Sequence, residues 1–249
     1  MLKPALRERV AAPPKGWQDI ANGEWLRCQV EQIVASHIER LYGYHFATVG
    51  RLSAQLQLPH SAIKHCFSLA SEAASNVQVC AESIHLPFAE ASLDAVLLAG
   101  ELEFAKDPHQ ILREVNHSLI ADGKLIYVGF NPLAWHQVQQ LWPANVNHYP
   151  WCGRSFTRSR VLDWLALLNF EVTEAQYFAP GFLQQRWRWP ERLATKVHNW
   201  VPQLASCYVI VARKREYPLT LLPERAQRKR VQPNLQTVPL ANQTQIKEL

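Results

Sequence analysis

The sequence predicts an α/β fold built on a mostly parallel sheet, because it contains three short buried strands and one well-marked helix between two of them. Strands are predicted at residues 77–80, 94–98 and 125–129, where short apolar runs are bounded by polar or turn residues. With 249 residues, of which 48% are hydrophobic, the chain is long enough to bury the core of one full domain.

A helix is predicted between the second and third of these strands. Asp107 is expected to cap its start, Pro108 to occupy its first position and the turn at 121–123 to end it. Its apolar residues recur at helical spacing: Ile111, Leu112, Val115, Leu119 and Ile120. A strand, a helix and a strand joined by short connections form a right-handed crossover, in which the two strands are parallel.

Ligands of such sheets bind beyond the carboxyl ends of the strands. In this chain Glu82 and Ser83 follow the first predicted strand, residues 99–104 follow the second, and Asn131 follows the third. These positions are therefore the candidates for ligand binding.

Residues 82–123 contain a series of short motifs in a fixed order. They are Glu82-Ser83, Leu86-Pro87-Phe88, Ser92-Leu93-Asp94-Ala95-Val96, Gly100-Glu101-Leu102-Glu103-Phe104, Asp107-Pro108, Leu112-Arg113-Glu114 and Ala121-Asp122-Gly123. In this order they resemble the second half of the class I S-adenosylmethionine-dependent methyltransferase domain, in its type 11 branch. The resemblance implies S-adenosylmethionine as cofactor and a doubly wound, mostly parallel sheet of seven strands whose last strand is antiparallel.

The glycine-rich cofactor motif of that family is degenerate here. The family has an acidic residue followed by three alternate glycines, whereas residues 48–54 read Thr-Val-Gly-Arg-Leu-Ser-Ala. Thr48 replaces the acid, and of the three glycines only Gly50 remains. Leu52 and Ala54 replace the other two. Because glycines let the backbone approach a ligand in conformations that side chains forbid, this half of the pocket is expected to be weakened.

The resemblance implies a set of cofactor-binding residues: Thr48, Gly50, Glu82, Ser83, Ala99 and Gly100. Glu82 would hold the adenine amino group and the Ser83 backbone N–H a ring nitrogen. The backbone of residues 99–100 would lie near the methionine portion. Gly100 and Phe104 stand where the family has two histidines, so the obvious candidate base is missing and the catalytic residues stay undefined.

Two early connections are short, which predicts trimmed early helices. Between Gly50 and a strand predicted at 63–68 there are 12 residues, and eight residues, 69–76, separate that strand from the next. A crossover with its helix usually needs at least about 10–12 residues. The acid that ends the second strand in the family, where it binds the ribose hydroxyls, is also missing, and Glu72 is the nearest substitute.

Both ends of the chain are expected to differ from the central domain. Residues 1–45 form an N-terminal helical segment, whose amphipathic helix at 24–41 lies across the cofactor edge in the family or simply covers a strand edge. Residues 213–249 hold eight Lys/Arg and three Asp/Glu, which accounts for the whole net charge of +5. The composition of this basic tail predicts disorder.

Residues 46–212 form the predicted methyltransferase-like domain. After its third predicted strand, a helix is expected at 159–168 and two closing strands at 170–178 and 207–212. This arrangement is similar to the way in which class I methyltransferases close their sheet.

Two insertions, 131–153 and 179–206, hold most of the remaining aromatic residues. Such elements cover the substrate in the family, so Asn131, Trp135 and Trp187 are candidate substrate contacts. Tryptophan beside arginine suits a flat or anionic substrate, a membrane interface or single-stranded RNA. The same tryptophans are equally consistent with simple packing of the insertions onto the sheet.

Composition argues against metal chemistry and membrane insertion. The five cysteines include no Cys-x-x-Cys pair and the ten histidines no metal-binding spacing, so we expect no metal site. Unpaired cysteines suit a reducing cytoplasm. No apolar run approaches the ~20 residues of a transmembrane helix, and the N-terminus lacks the apolar core of a signal peptide. We therefore expect a cytoplasmic protein without a transmembrane segment.

Three functions are compatible with this sequence. The first is an S-adenosylmethionine-dependent methyltransferase that acts on a small or aromatic substrate. The second is a catalytically inactive methyltransferase-like binding or scaffold protein. The third is contact with nucleic acid or an anionic membrane through residues 187–192 and 213–249. The first requires an adenosine-sized hollow, and a bulky side chain such as Leu52 within that hollow would leave no space for methyl transfer.

Overall fold

The computed structural model describes residues 12–59, 62–134, 149, 152–180 and 200–216. Its strands are β1 (His45–Val49), β2 (His65–Ala70), β3 (Val79–Cys80), β4 (Leu93–Ala99), β5 (Leu119–Phe130), β6 (Phe170–Phe178) and β7 (Cys207–Lys214). They form one seven-stranded sheet in the order β3-β2-β1-β4-β5-β7-β6. The predicted number of strands is confirmed.

Strands β1 to β5 pair with one another in parallel. β7 lies between β5 and β6 and is antiparallel to both, which confirms the predicted antiparallel closing strand. Along the sheet, the chain runs outward in one direction from β1 and in the other from β4. The carboxyl ends of these two strands therefore form the topological switch point, where sheets of this kind bind ligands.

Helices cover both faces of the sheet, as a doubly wound fold requires. In the described residues they are α1 (Gly23–Ile38), α2 (Arg51–Ala54), α3 (Pro108–Ser118) and α4 (Arg158–Leu167). The buried residues of α1 share one core with Phe46 of β1 and Leu97 of β4, so α1 packs on a face of the sheet. The expectation that this helix covers a strand edge is therefore wrong. α3 and α4 belong to the core of the opposite face.

Helix α3 begins where the sequence predicts. The Asp107 carboxylate accepts hydrogen bonds from the backbone N–H groups of His109 and Gln110, at 3.0 and 3.2 Å. The helix ends at Ser118, earlier than its apolar pattern suggests, because Leu119 is already paired with Leu93 as part of the sheet.

Replacing Asp107 with alanine is expected to lower the free energy of unfolding by about 1 kcal/mol, because two N–H groups at the start of α3 lose their acceptor. Urea denaturation measures this change. Asp163→Ala is the matched control, since Asp163 is an exposed acid within α4, and we expect it to change the unfolding free energy by less than about 0.5 kcal/mol. Equal effects of the two substitutions would contradict the capping role of Asp107.

The early connections are short, as predicted. Helix α2 has only four residues, and residues 71–78 between β2 and β3 contain turns but no helix. Within the described residues, these two connections therefore add no long helix to the sheet.

Strand β7 extends two residues beyond its predicted end at 212. Arg213 forms an ion pair with Glu171 at 2.8 Å, and the Lys214 ammonium donates to the Leu119 carbonyl at 2.8 Å. These two basic residues complete the sheet and belong to the domain, so the predicted start of the tail at 213 is wrong. Their charge resembled that of the tail, but strand pairing decides the boundary.

Candidate functional site

The crevice at the switch point is formed by the segments that follow β1, β3 and β4. Gly50 follows β1, Glu82 and Ser83 follow β3, and Gly100 follows Ala99 at the end of β4. The fold therefore brings five of the six predicted cofactor-binding residues to one edge of the sheet.

Two glycines in this crevice have backbone conformations that other residues rarely adopt. Gly50 has a φ of +97° and Gly100 a φ of +66°. The Gly50 N–H donates to the Leu69 carbonyl at 2.8 Å, and the Gly100 N–H donates to the Val128 carbonyl at 2.9 Å. These hydrogen bonds hold both glycines at the ends of their strands, with bare backbone facing the crevice.

The Glu101 side chain lies across this crevice. Its carboxylate accepts a hydrogen bond from the Ser83 hydroxyl, and a Cβ atom on Gly50 would overlap one of its oxygens. Burial raises the pKa of Glu101, while the Ser83 hydrogen bond and the Arg51 guanidinium oppose that shift. The carboxylate therefore occupies the space between two predicted cofactor-binding positions.

Helix α2, which follows β1, is held closely against the end of β4 and against Trp17. The Trp17 indole N–H donates to the Leu52 carbonyl at 2.9 Å, and the Ala99 N–H donates to the Ser53 hydroxyl oxygen at 2.7 Å. The Leu52 side chain is buried, and its Cδ1 atom would lie 2.9 Å from a Cβ on Gly100. Leu52 thus fills the other side of the crevice, and the adenosine-sized hollow expected there is closed in this conformation.

Thr48 lies away from the crevice. It belongs to the interior of β1, and its hydroxyl donates to the Ser68 hydroxyl oxygen at 2.9 Å across to β2. Side chains of a strand alternate between the two faces of the sheet, and this one points onto a face, not beyond the strand end. This hydrogen bond gives no support to Thr48 in the place of the family's acid, and that assignment stays a prediction.

The carboxyl end of β2 supplies no carboxylate to the crevice. The strand ends at Ala70, and the exposed Glu72 forms an ion pair with Arg51. Glu72 is thus paired with a neighbouring side chain. Its contacts give no support to the prediction that it replaces the ribose-binding acid of the family.

Asn131 is buried and fully engaged at the end of β5. Its amide N–H groups donate to the carbonyls of Gln203 and Ala205 at 2.6 and 2.8 Å, and its side-chain oxygen accepts from the Leu133 N–H at 3.1 Å. The side chain joins β5 to the segment before β7. The structure therefore gives Asn131 a structural role instead of the predicted contact with substrate.

The other predicted substrate contacts, Trp135 and Trp187, lie outside the described residues, as do residues 217–249 of the basic tail. Those assignments remain predictions. Among the residues that are described, no three His, Cys, Asp or Glu side chains are grouped so as to hold a metal ion. None of the described helices combines the length and the apolar character needed to cross a membrane.

Glu103 is a second carboxylate at this edge, deeper in the core. One of its oxygens accepts from the Tyr127 hydroxyl and from the Phe130 N–H, both at 2.9 Å, while the other has no hydrogen-bond partner. Burial raises the pKa of Glu103 to about 7, although the two donors favour its ionised form. About half of the Glu103 side chains are therefore protonated near physiological pH.

The sequence interpretation did not assign roles to Glu101 and Glu103. A signal was available, because two carboxylates lie within four residues of the end of β4 and flank the apolar Leu102. Charged groups are rarely buried without partners, so acids beside a buried strand end indicate a polar network or a ligand.

The strand order, the antiparallel β7 and the glycine-lined crevice at the switch point define a class I methyltransferase domain. Consistent with this, residues 49–127 match the family model described as a methyltransferase domain. The chain is also 36% identical over 222 residues to YafS of Escherichia coli K12, a protein described as uncharacterized, with 89% of this chain and 90% of YafS covered. The chain belongs to the type 11 branch of the class I S-adenosylmethionine-dependent methyltransferase family.

Solved structures from other organisms have the same fold. An S-adenosylmethionine-dependent methyltransferase of Thermotoga maritima, described as a possible histamine N-methyltransferase, superposes with a TM-score of 0.56 at 14% identity, over 77% of this chain and 90% of that chain. A second one, from Archaeoglobus fulgidus, superposes with a TM-score of 0.53 at 12% identity, over 77% of this chain and 94% of that chain. At these identities the similarity shows the fold alone.

The residues of the crevice fit the family's cofactor only in part. Glu82 is exposed beside the buried Ser83, as an adenine-binding pair would be, and two glycines present bare backbone. Glu101 and Leu52 occupy the space beside those glycines. The structure thus leaves Glu82 accessible at the expected adenine end of the cofactor, whereas the methionine end requires that the Glu101 and Leu52 side chains move.

Proposed function

We propose that this protein is an S-adenosylmethionine-dependent methyltransferase that acts on a small or aromatic acceptor, and that its crevice opens when the Glu101 and Leu52 side chains turn away from the two glycines. The observation that carries the proposal is the pair Gly50 and Gly100. Both keep a left-handed backbone at the ends of adjacent strands, where a larger residue would be strained. Family membership supplies the reaction class.

The movement of Glu101 requires little rearrangement of the backbone. The carboxylate of Glu101 is the end of a flexible side chain, and the residue is partly exposed, so rotation toward solvent replaces the Ser83 hydrogen bond by water. The crevice then lies between Gly50, Ser83 and Gly100. Glu82 and the Ser83 N–H would hold the adenine there.

A bound S-adenosylmethionine would supply a sulfonium methyl group for transfer to a nucleophile. The protein would contribute alignment and exclusion of water, which need no catalytic triad. Because Gly100 and Phe104 replace the family's histidines, these positions offer no general base. An acceptor whose nucleophile is already deprotonated near neutral pH suits this crevice best.

The adenine assignment predicts that Glu82→Ala weakens binding of S-adenosylhomocysteine by about 1–3 kcal/mol, the cost of one unmet hydrogen bond. Isothermal titration calorimetry on the full chain measures this. Glu90→Ala is the matched control, since Glu90 is an exposed acid of the same loop region, and its affinity should equal that of the unmodified chain. An affinity unchanged by Glu82→Ala would reject the adenine assignment.

A second candidate function is a methyltransferase-like binding or scaffold protein without catalysis. The observation that favours it is the buried Leu52, which takes the place of a family glycine and packs against Gly100. Calorimetry separates the two candidates. Heat of binding with S-adenosylmethionine supports the enzyme. If neither the unmodified chain nor the Glu101→Ala variant gives heat of binding at high micromolar ligand, the result favours the non-catalytic protein.

A further inference from the structure

A cavity of about 380 Å³ lies on the face of the sheet over β1 and β2, separate from the crevice at the strand ends. Its floor is made by two pairs of neighbouring residues on these strands, Phe46 with Cys66 and Thr48 with Ser68. In the described part of the connection from β1 to β2, the four-residue α2 is the only helix, and this leaves the space above the two strands open. A full crossover helix would pack over these strands and fill this space.

Most of the residues that line the cavity are apolar. Ile38 at the end of α1 forms one side, and residues of the β1–β2 connection, among them Leu56 and Ile63, form the other. Among the described residues that line the cavity, Lys64 is the only charged one and none is a carboxylate. The volume falls within the range of about 300–1,000 Å³ that is usual for small-molecule sites.

Hydroxyl groups at one end of the cavity lack acceptors. The Thr48 hydroxyl donates to the Ser68 oxygen, so the proton of Ser68 remains, and the Ser53 oxygen already accepts from the Ala99 N–H. In the part of the chain that the structure describes, neither serine hydroxyl donates a hydrogen bond. Donors held in a partly buried site without acceptors are costly, and a ligand oxygen removes that cost.

We propose that this cavity binds a small carboxylic acid with an apolar body. The carboxylate accepts hydrogen bonds from Ser53 and Ser68, and the apolar body packs against Ile38, Phe46 and Ile63. The exposed Lys64 ammonium adds positive potential at the opening, which attracts an anion. This inference does not depend on the proposed methyl transfer, because none of these contacts involves the glycines of the crevice.

Octanoate is the probe that tests the proposal, with 1-octanol as the neutral molecule of equal chain length. Calorimetry on the full chain should show submillimolar binding of octanoate and binding of 1-octanol that is roughly tenfold weaker or absent, because hydrogen bonds to a charged group are the stronger ones. Equal affinities for the two molecules, or no binding of octanoate, would overturn the proposal.

Two variants tie the binding to this cavity. Ser68→Ala is expected to weaken octanoate roughly tenfold, while Ser71→Ala, at an exposed position just beyond β2, leaves the affinity unchanged. Lys64→Met is expected to weaken octanoate a few-fold and to reduce the salt dependence of binding. Circular dichroism verifies that each variant is folded. Octanoate affinity that survives both Ser68→Ala and Lys64→Met would place the ligand elsewhere and refute the assignment.

Discussion

Replacing Glu101 with alanine is expected to raise the affinity for S-adenosylhomocysteine roughly tenfold or more. In the unmodified chain, a ligand that enters the crevice must first displace a carboxylate held by the Ser83 hydroxyl and attracted by Arg51. A hydrogen bond to a charged group contributes about 1.5–3 kcal/mol, and 1.4 kcal/mol corresponds to tenfold in affinity. The alanine variant does not lose this interaction on binding, so its measured dissociation constant should fall.

Glu101→Gln is the matched control, because glutamine keeps the size of the side chain and its hydrogen bond but removes the charge. We expect its affinity to lie between those of the unmodified chain and the alanine variant. Weaker binding by Glu101→Ala would contradict the proposed displacement and would identify Glu101 as a contact of the ligand. Adding Leu52→Ala opens the other side of the crevice. Truncation of a core leucine to alanine lowers the free energy of unfolding by about 2–5 kcal/mol, so the thermal unfolding of that variant must be measured as well.

Glu103→Gln is expected to remove a strong pH dependence of stability. The pKa of this carboxyl is about 7 in the folded protein against an ordinary value of 4.5, so the folded state holds its proton more tightly than the unfolded state. Below the ordinary pKa both states are protonated and the contribution to stability is fully present. As the pH rises through 7 that contribution is lost, and 2.5 pKa units correspond to roughly 3 kcal/mol.

Urea denaturation at pH 5 and pH 8 tests this expectation. The unfolding free energy of the unmodified chain should decline relative to that of Glu103→Gln across this interval, by an amount approaching the roughly 3 kcal/mol assigned to Glu103. Glu90→Gln, at an exposed acid, should give a pH dependence parallel to that of the unmodified chain. A parallel curve for Glu103→Gln as well would show that Glu103 does not titrate in this range.

Local patterns in the sequence were sufficient for most of the fold. The cap at Asp107, the apolar runs of β4 and β5, and the strand at 170–178 are each encoded by residues close together in the chain, and each is found where predicted. The short early connections also follow from counting residues, because a helix of several turns needs a minimum length of chain. The decay of the glycine motif is likewise visible without any structure.

The candidate site depended on contacts between distant residues. Glu101 contacts Ser83 and fills the space beside Gly50. Residues so far apart in the chain leave no periodic pattern that would predict their contact. Thr48 looked like a cofactor ligand by its position in a motif, but the alternation of side chains in β1 directs it onto the face of the sheet. Asn131 looked like a substrate contact, yet its hydrogen bonds go to carbonyls more than 70 residues away along the chain.

The sequence by itself thus determined the class of fold and the edge of the sheet at which a ligand belongs, since both follow from local spacing and chain order. Only the tertiary structure decided whether that edge is open, and where the space left by a missing helix lies. The reason is physical: propensity and periodicity act over a few residues, whereas the filling of a crevice depends on side chains brought together by the completed sheet.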